Sequence, residues 1–425
     1  MTTVRLRPGV VTGRLRAPPS KSYTHRALVS GHLSHRAYRI DHPLDADDTR
    51  ATARSITRLG TAVQRHSDHW TLRPRARAMR PGPAKIDCGE SGTTLRFAAA
   101  LAAKEDRSVT FVGRGRLPRR PMQPLWDALG DLGARYDSRS DRFGLPVTLR
   151  GPIRGGPISL DASESSQFAS ALLLVLPTLA EDSTLTLAGR IVSRPYVEAT
   201  LAVLSFHRIR VDRNGRRFHV PGGQEYRGSK FPVPGDASSA AYFWVAAALS
   251  GGSVRVEGVP MRWPQADLVV LDLLEAAGAE VRRNLSGATV QAGPLRPFRV
   301  DLTDAPDLYP LAGVLAAAIP GRSELRGASH VVAKESDRRA GTRKLVRALG
   351  ARVTSSEQGL VIEGRRPLRP FILRGEADHR LVMSATVGAL ASAGPCTIND
   401  ASAVRKSFPG FWDALGRLTE GVGRP

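Results

Sequence analysis

The sequence predicts an α/β chain of two domains, each built from three copies of one unit about seventy residues long. Three observations lead there. Six short polar motifs, each opening an Ala/Leu-rich stretch, start at Ser20, Ser91, Ser165, Asp236, Asp307 and Asp378, in steps of 71, 74, 71, 71 and 71 residues. A second pattern, resembling L-x-x-L-G-A-x-V, shares that period and places glycine at Gly60, Gly133, Gly278 and Gly350. A unit of this length holds several strands and two helices, for example strand–helix–strand–helix–strand–strand, and exceeds the helical solenoid repeats. Three such units make one compact domain, and six make two.

The motifs run in order as SKSYTHRALVS, SGTTLRFAAALAA, SSQFASALLLVL, DASSAAYFWVAAAL, DLYPLAGVLAAA and DHRLVMSATVGAL. Ser and Asp are good N-caps, so each motif reads as a helix start whose first backbone N–H groups lack intrahelical partners. Such an end carries partial positive charge and favours anions. Repeated six times, it predicts a site for highly negative small molecules. Each glycine of the second pattern ends another helix just before a strand, where the left-handed conformation suits glycine. In the third unit, SFHRIRV has His207 in the glycine slot, and near Gly416 the pattern is degenerate. The chain is expected to cross between domains near Gly13 and within residues 228–234, where Pro and Gly punctuate it. This gives 14–231 as one domain, and 232–425 with the strand 1–13 as the other. Short crossings between two anion-seeking domains imply closure around ligand, with the active site in the interdomain cleft.

The hydrophobic fraction of 41% and charged fraction of 24% are those of a globular protein, and 425 residues suffice for two cores. Cys88 and Cys396 form no C-x-x-C pattern, which argues against a disulfide scaffold or zinc site and for a reducing compartment. The longest apolar runs fall short of the roughly 20 residues that span a bilayer. No signal peptide precedes the first motif, so a cytoplasmic location is expected. The net charge of +23 raises the question of nucleic acid. Only seven of the 62 cationic residues are Lys, and the Arg are scattered over every segment rather than gathered in a stripe. A compositional habit explains that, and the field still draws anionic substrates. The sequence around Gly113 and Gly115 lacks the third glycine of a dinucleotide loop, and no Walker motif is present, so no cofactor is expected. His32/His35 and His66/His69 have pair spacing without the further ligands of a metal site, and no metal is expected.

The segments PPSKSYTHRAL, GESGTTLRF, RRPMQPLWDAL, SSQFASALLL, VSRPYVEAT, GDASSAAYF, KESDRRAG, ADHRLVM and RKSFPGFWDAL run in order from residue 18 to about 415. Together they resemble the 5-enolpyruvylshikimate-3-phosphate synthase family. That resemblance implies two domains of three inverted βαβαββ repeats each and a monomer. It also implies transfer of the enolpyruvyl group of phosphoenolpyruvate to the 5-hydroxyl of shikimate 3-phosphate, with release of phosphate. Both substrates carry a phosphate and a carboxylate, which calls for Arg forks and for Lys, Ser and backbone N–H donors. For shikimate 3-phosphate the family pattern points to Lys21, Ser22, Arg26, Ser165, Ser166, Gln167, Ser193, Tyr196, Asp307, His330 and Lys334. Ser22 and Arg26 are one helical turn apart and share a face. The domain 14–231 is expected to bind mainly this substrate. For phosphoenolpyruvate the pattern points to Lys21, Gly92, Arg120, Gln167, Arg338, Arg380 and Lys406. In the chemistry, the resemblance makes Asp307 the base and Glu335 the proton donor, assisted by Lys21 and Lys406.

Plainer roles compete for several of these residues. Asp307 also fits a simple N-cap, like Asp236 and Asp378. Glu335 beside Lys334 also fits a surface ion pair, and Arg120 a surface arginine. Two positions depart from the family's common form. Glu90 replaces an Asn beside the phosphoenolpyruvate pocket and is left outside the expected site. His330 replaces an Asn but can still donate a hydrogen bond. Competing functions are transfer to another acceptor alcohol, UDP-N-acetylglucosamine among them, or binding of RNA ends by a basic repeat protein. The sister enzyme acting on the nucleotide sugar usually carries a reactive Cys on a loop, and residues 113–120 have none. Aromatic residues for stacking on RNA make up only 6% of the chain.

Overall fold

One pairing pattern recurs in the sheets of the computed structural model, which describes residues 2–74, 83–138, 144–374 and 376–420. An edge strand lies parallel to a second strand. The second pairs antiparallel with one arm of a hairpin, whose other arm completes the sheet. Ala84–Asp87, Ser108–Val112, Val147–Arg150 and Arg135–Ser138 follow this order. So do Pro157–Asp161, Ser183–Ala188, Arg217–Val220 and Asp212–Asn214, and Arg299–Asp301, Gly321–Arg326, Gly359–Gly364 and Arg352–Ser356. Parallel neighbours need a crossover. The helices Gly92–Ala102, Ser166–Val175 and Tyr309–Ala317, opened by three of the polar motifs, supply it.

The other three sheets take a strand from elsewhere in the chain. Tyr38–Asp41, His69–Pro74 and Thr61–Arg65 gain Lys230–Pro232 as their parallel edge. Ser253–Glu257, Gly287–Gln291 and Glu280–Asn284 gain Gly13–Arg16. Ile372–Leu373 and Cys396–Ile398 run parallel, and Val4–Leu6 pairs antiparallel in place of a hairpin arm. These exchanges fix the division of the chain: Met1–Pro18 with Pro234–Pro425 form one unit, and Pro19–Val233 the other. The first crossing thus lies beyond the expected Gly13, because Gly13–Arg16 is hydrogen-bonded to Ser253–Glu257. The second lies at Val233/Pro234 rather than after residue 231, because Lys230–Pro232 is tied to Tyr38–Asp41.

Inside Pro19–Val233, the helices Lys21–Leu33, Gly92–Ala102 and Ser166–Val175 pack on one another. Ala237–Ser250, Tyr309–Ala317 and His379–Leu390 do the same in the other unit. All six are buried on nearly every side. Ala237–Ser250 and Tyr309–Ala317 have little polar surface to expose, whereas Lys21–Leu33 buries Thr24, His25, Arg26 and Ser30. The second helix of a unit, such as Asp47–Arg58 or Arg338–Ala348, buries one face only. Gly60, Gly133, Gly278 and Gly350 follow such helices with φ between 87° and 105°, the conformation for which glycine was read there. In the third unit that conformation falls on Arg208, at φ 59°, and not on His207. The His207 ring is instead buried, hydrogen-bonded to the Tyr38 hydroxyl and to the Arg227 carbonyl.

Candidate active site

Four of the six motif residues cap their helices. Ser91 accepts from Thr94 N, Ser165 from Gln167 N, Asp236 from Ser239 N and Asp378 from Arg380 N, at 2.8–3.2 Å. Ser20 makes no side-chain cap bond. Asp307 departs from the simple cap its position allowed. It lies in a 3₁₀ turn, Pro306–Leu308, ahead of the helix Tyr309–Ala317. Its two carboxylate oxygens meet two guanidinium groups, Arg338 Nη1 at 2.6 Å and Arg380 Nη2 at 2.6 Å.

Arg338 is 1% exposed and binds two further carboxylates, Glu335 Oε2 at 2.7 Å and Asp378 Oδ2 at 2.9 Å. Ser336 Oγ donates to the same oxygen of Asp378. Burial alone would lower the pKa of Arg338, but the three carboxylates hold it above its usual value. For Asp307, burial opposes ionisation, yet Arg380, Arg338 and Lys334 outweigh it and hold the carboxyl well below the usual range. Glu335 is therefore part of this partly buried network rather than a solvated surface pair. Lys334 follows the short turn Ser329–Ala333, which carries the buried His330. Lys406 ends the turn Ala401–Lys406 and donates to the carbonyl of Ala377, next to Asp378. Asp307, Glu335, Arg338 and Arg380 are thus brought into one cluster, with Lys334 and Lys406 at its margin.

In Pro19–Val233, Arg26 is 2% exposed on the second turn of Lys21–Leu33. Its hydrogen bonds go to neutral oxygens: Thr200 Oγ1, Ser170 Oγ and the carbonyls of Ser22 and Tyr196. Burial lowers its pKa to about 10, and no carboxylate compensates it among the described residues. Ser193 precedes the helix Pro195–Phe206 in a left-handed conformation, φ 55°, and the backbone N–H of Tyr196 donates to its carbonyl. A non-glycine residue held at positive φ stores strain of a kind that clusters at functional sites. Lys21 Nζ pairs with Asp48 Oδ2 at 3.1 Å.

Ser165, Ser166 and Gln167 share one helix start, and Arg96 links it to Gly92 and Arg120. Arg96 Nη1 donates to Gln167 Oε1 at 2.6 Å, and its guanidinium lies over the Phe168 ring. A Cβ on Gly92 would come within 2.7 Å of both the Arg96 and Arg120 guanidinium groups. Glycine there lets two arginines crowd the helix tip. Arg120 is only 6% exposed and is no surface arginine. Glu90 packs against the turn at Gly115, where a Cβ would approach its carboxyl carbon to 2.9 Å.

Sequence reasoning missed Arg96, Asp48, Ser170, Thr200 and Ser336, and gave Asp378 only a cap. A charge inside an otherwise apolar helix, as in TTLRFAAALAA, was the available signal for Arg96. The hydroxyl and carboxyl partners carry no such mark, because remote packing alone brings them to their arginines.

The fold is that of the enolpyruvyl transferases. It matches the enolpyruvyl transferase NikO from Streptomyces tendae with a TM-score of 0.78 at 18% identity, over 99% of this chain and 98% of that one. It matches EPSP synthase from Acinetobacter baumannii with a TM-score of 0.81 at 24% identity, over 100% and 99%. Sequence narrows the class. The EPSP synthase (3-phosphoshikimate 1-carboxyvinyltransferase) family model matches residues 7–415, and the chain belongs to that family. It is 41% identical over 410 residues to the 3-phosphoshikimate 1-carboxyvinyltransferase of Thermococcus kodakarensis, covering 96% of this chain and 98% of that one. With the protein of the same name from Methanocorpusculum labreanum it shares 36% identity over 409 residues, 96% of each.

Proposed function

We propose that this chain transfers the enolpyruvyl group of phosphoenolpyruvate to the 5-hydroxyl of shikimate 3-phosphate and releases phosphate. The observation that carries the reading is the fork of Arg338 and Arg380, closed on the carboxylate of Asp307. It is a ready receptor for a substrate carboxylate. In this reading Arg338, Arg380 and Lys406, with Lys21, Gly92, Arg120 and Gln167, bind phosphoenolpyruvate. Lys21, Ser22, Arg26, Ser165, Ser166, Gln167, Ser193, Tyr196, Asp307, His330 and Lys334 bind shikimate 3-phosphate. The uncompensated charge of buried Arg26 supports its assignment to the shikimate carboxylate.

The chemistry follows from the exchange of partners at the fork. An incoming carboxylate competes with Asp307 for the same donors. As the guanidinium groups turn to it, Asp307 loses the charges that suppress its proton affinity and becomes a competent base. It takes the proton of the 5-hydroxyl, whose oxygen bonds to C2 of phosphoenolpyruvate while Glu335, which takes up a proton once Arg338 turns from it to the substrate carboxylate, delivers that proton to C3. The C2–O bond to phosphate then breaks as the proton held by Asp307 passes to the departing phosphate, a proton returns from the new methyl group to Glu335, and the carbon–carbon double bond re-forms. Lys21 and Lys406 neutralise charge on the phosphate as it departs. Among the described residues no helix is long and apolar enough to cross a membrane. The reading includes a monomer working in the cytoplasm, which sedimentation and cell fractionation test.

The deciding experiment is phosphate release by purified protein supplied with phosphoenolpyruvate and shikimate 3-phosphate, with the enolpyruvyl ether identified by mass. Release that needs both substrates is expected. No release, or release with UDP-N-acetylglucosamine in place of shikimate 3-phosphate, overturns the assignment.

A further inference from the structure

Asp267 is a buried carboxyl that the reaction above leaves unused. It lies in the turn Ala266–Leu268, is 1% exposed, and accepts a hydrogen bond from Ser238 Oγ at the start of Ala237–Ser250. Its Oδ1 is buried and has no hydrogen-bond partner among the described residues. Gln265 fastens the turn to the same helix start: its Oε1 accepts from Ala237 N at 2.9 Å, and its Nε2 donates to the Gly235 carbonyl at 2.9 Å. Asp267 is thereby fixed beside the tip that Asp236 caps. The helix Ala237–Ser250 also packs against the turn Pro306–Leu308 and the helix His379–Leu390, which carry the paired Asp307 and Arg380, so the charges of Asp307, Arg380, Asp236 and Arg338 bear on Asp267. Tyr242, further along the same helix, lies beside Arg380. The following helix Val269–Ala276 brings only Asp272 and Glu275, which are exposed and paired with Arg283.

Asp307, Glu335 and Asp378 each hold a guanidinium nitrogen of Arg338, whereas among the described residues Asp267 has only the Ser238 hydroxyl. A buried carboxyl so placed ionises reluctantly. Burial first, then the charge of Asp307, raises its pKa to about 7.

We propose that Asp267 is a positioning residue for Arg380. Neutral, it leaves the charge of Arg380 to the carboxylate of phosphoenolpyruvate; ionised, it draws on that charge and loosens the grip. By reciprocity, phosphoenolpyruvate favours the protonated carboxyl. The inference rests on the enolpyruvyl-transfer reading, in which Arg380 binds that substrate.

The test compares wild type with Asp267→Asn, which is neutral at every pH and can still accept from Ser238. KM for phosphoenolpyruvate and kcat are measured by phosphate release from about pH 6 to about pH 8.5. The substrate's own phosphate titrates in this window, so the quantity read is the wild-type KM divided by the variant KM. That ratio is expected near one at the acid end and about three- to tenfold higher at the alkaline end, tenfold corresponding to one unit of linked pKa shift. The kcat ratio should stay level. A KM ratio that is flat with pH, or a pH effect confined to kcat, overturns the inference.

A second measurement needs neither turnover nor the variant. In ¹³C NMR of wild type labelled at aspartate carboxyls, one carboxyl should titrate near neutral pH, with its midpoint rising when phosphoenolpyruvate is added. Absence of such a carboxyl, or a midpoint indifferent to the substrate, overturns the inference. A protein that shows the shifting carboxyl but releases no phosphate would sink the proposed function alone.

Discussion

Replacing Arg338 with methionine keeps most of the side chain's apolar stem. It deletes a guanidinium that is 1% exposed and bound to three carboxylates at 2.6, 2.7 and 2.9 Å. Asp378 is itself 0% exposed, so its charge cannot be rehydrated without opening the fold. Removing one partner of a buried ion pair costs about 3–5 kcal/mol. Asp307 and Glu335, at 19% and 16% exposure, recover part of their hydration, so the loss should stay in that range rather than triple. With a urea slope of about 3 kcal/mol per molar, the unfolding midpoint falls by about 1–2 M.

The pH dependence gives a second check on the same variant. Asp307 and Asp378 have depressed pKa values in the folded protein. They bind fewer protons folded than unfolded, so they add stability above the ordinary carboxylate range near pH 4 and lose it only as pH falls through their folded values. In Arg338→Met no guanidinium of that residue opposes the burial of Asp378. Its pKa moves up, and protonation relieves the penalty already in mildly acidic solution. The gap between wild type and variant should therefore be largest near pH 7.5 and shrink toward pH 5. Urea unfolding followed by tryptophan fluorescence measures it, since Trp244 and Trp412 are buried in the same unit. A gap under about 1 kcal/mol at pH 7.5, or one unchanged at pH 5, would refute the ion-network account.

Arg26→Met should behave differently, because its partners are neutral oxygens. KM for shikimate 3-phosphate should rise about 10- to 150-fold, the equivalent of one charge-assisted bond, with a smaller urea-midpoint loss than in Arg338→Met. Equal stability losses in the two variants would contradict this contrast. Gly92→Ala puts a methyl within 2.7 Å of the Arg96 and Arg120 guanidinium groups. KM for phosphoenolpyruvate should rise at least several-fold while that for shikimate 3-phosphate stays near its wild-type value; steady-state kinetics in both substrates decides. Glu335→Gln and Lys21→Met should each lower kcat by about 10²–10⁴. Both should keep the circular-dichroism spectrum of the wild type, and near-normal turnover in either would remove that residue from the chemistry.

What could be read along the chain was local. The helix starts, the capping roles of Ser91, Ser165, Asp236 and Asp378, and the left-handed glycines at Gly60, Gly133, Gly278 and Gly350 depend on a few neighbouring residues. Periodicity gives the repeat, and the family motifs give the candidate site residues that fall within it. Reading failed where a remote segment decides. The short pattern puts His207 in the glycine slot, but the turn is made one residue later, at Arg208. A turn-forming residue points to a boundary near Gly13, but the strand Gly13–Arg16 finds its partner at Ser253–Glu257, far along the chain.

The sequence by itself determined the six-unit repeat, its family and the supply of cations at the helix starts, because these are written in residues close together. Only the tertiary structure decided what each charge faces. Asp307 and Asp378 occupy equivalent motif positions, yet Asp378 caps its helix while also holding Arg338, and Asp307 gives both oxygens to arginines. The difference is physical: a cap is satisfied within one helical turn, whereas a buried carboxylate takes whichever cation the packing of neighbouring units delivers.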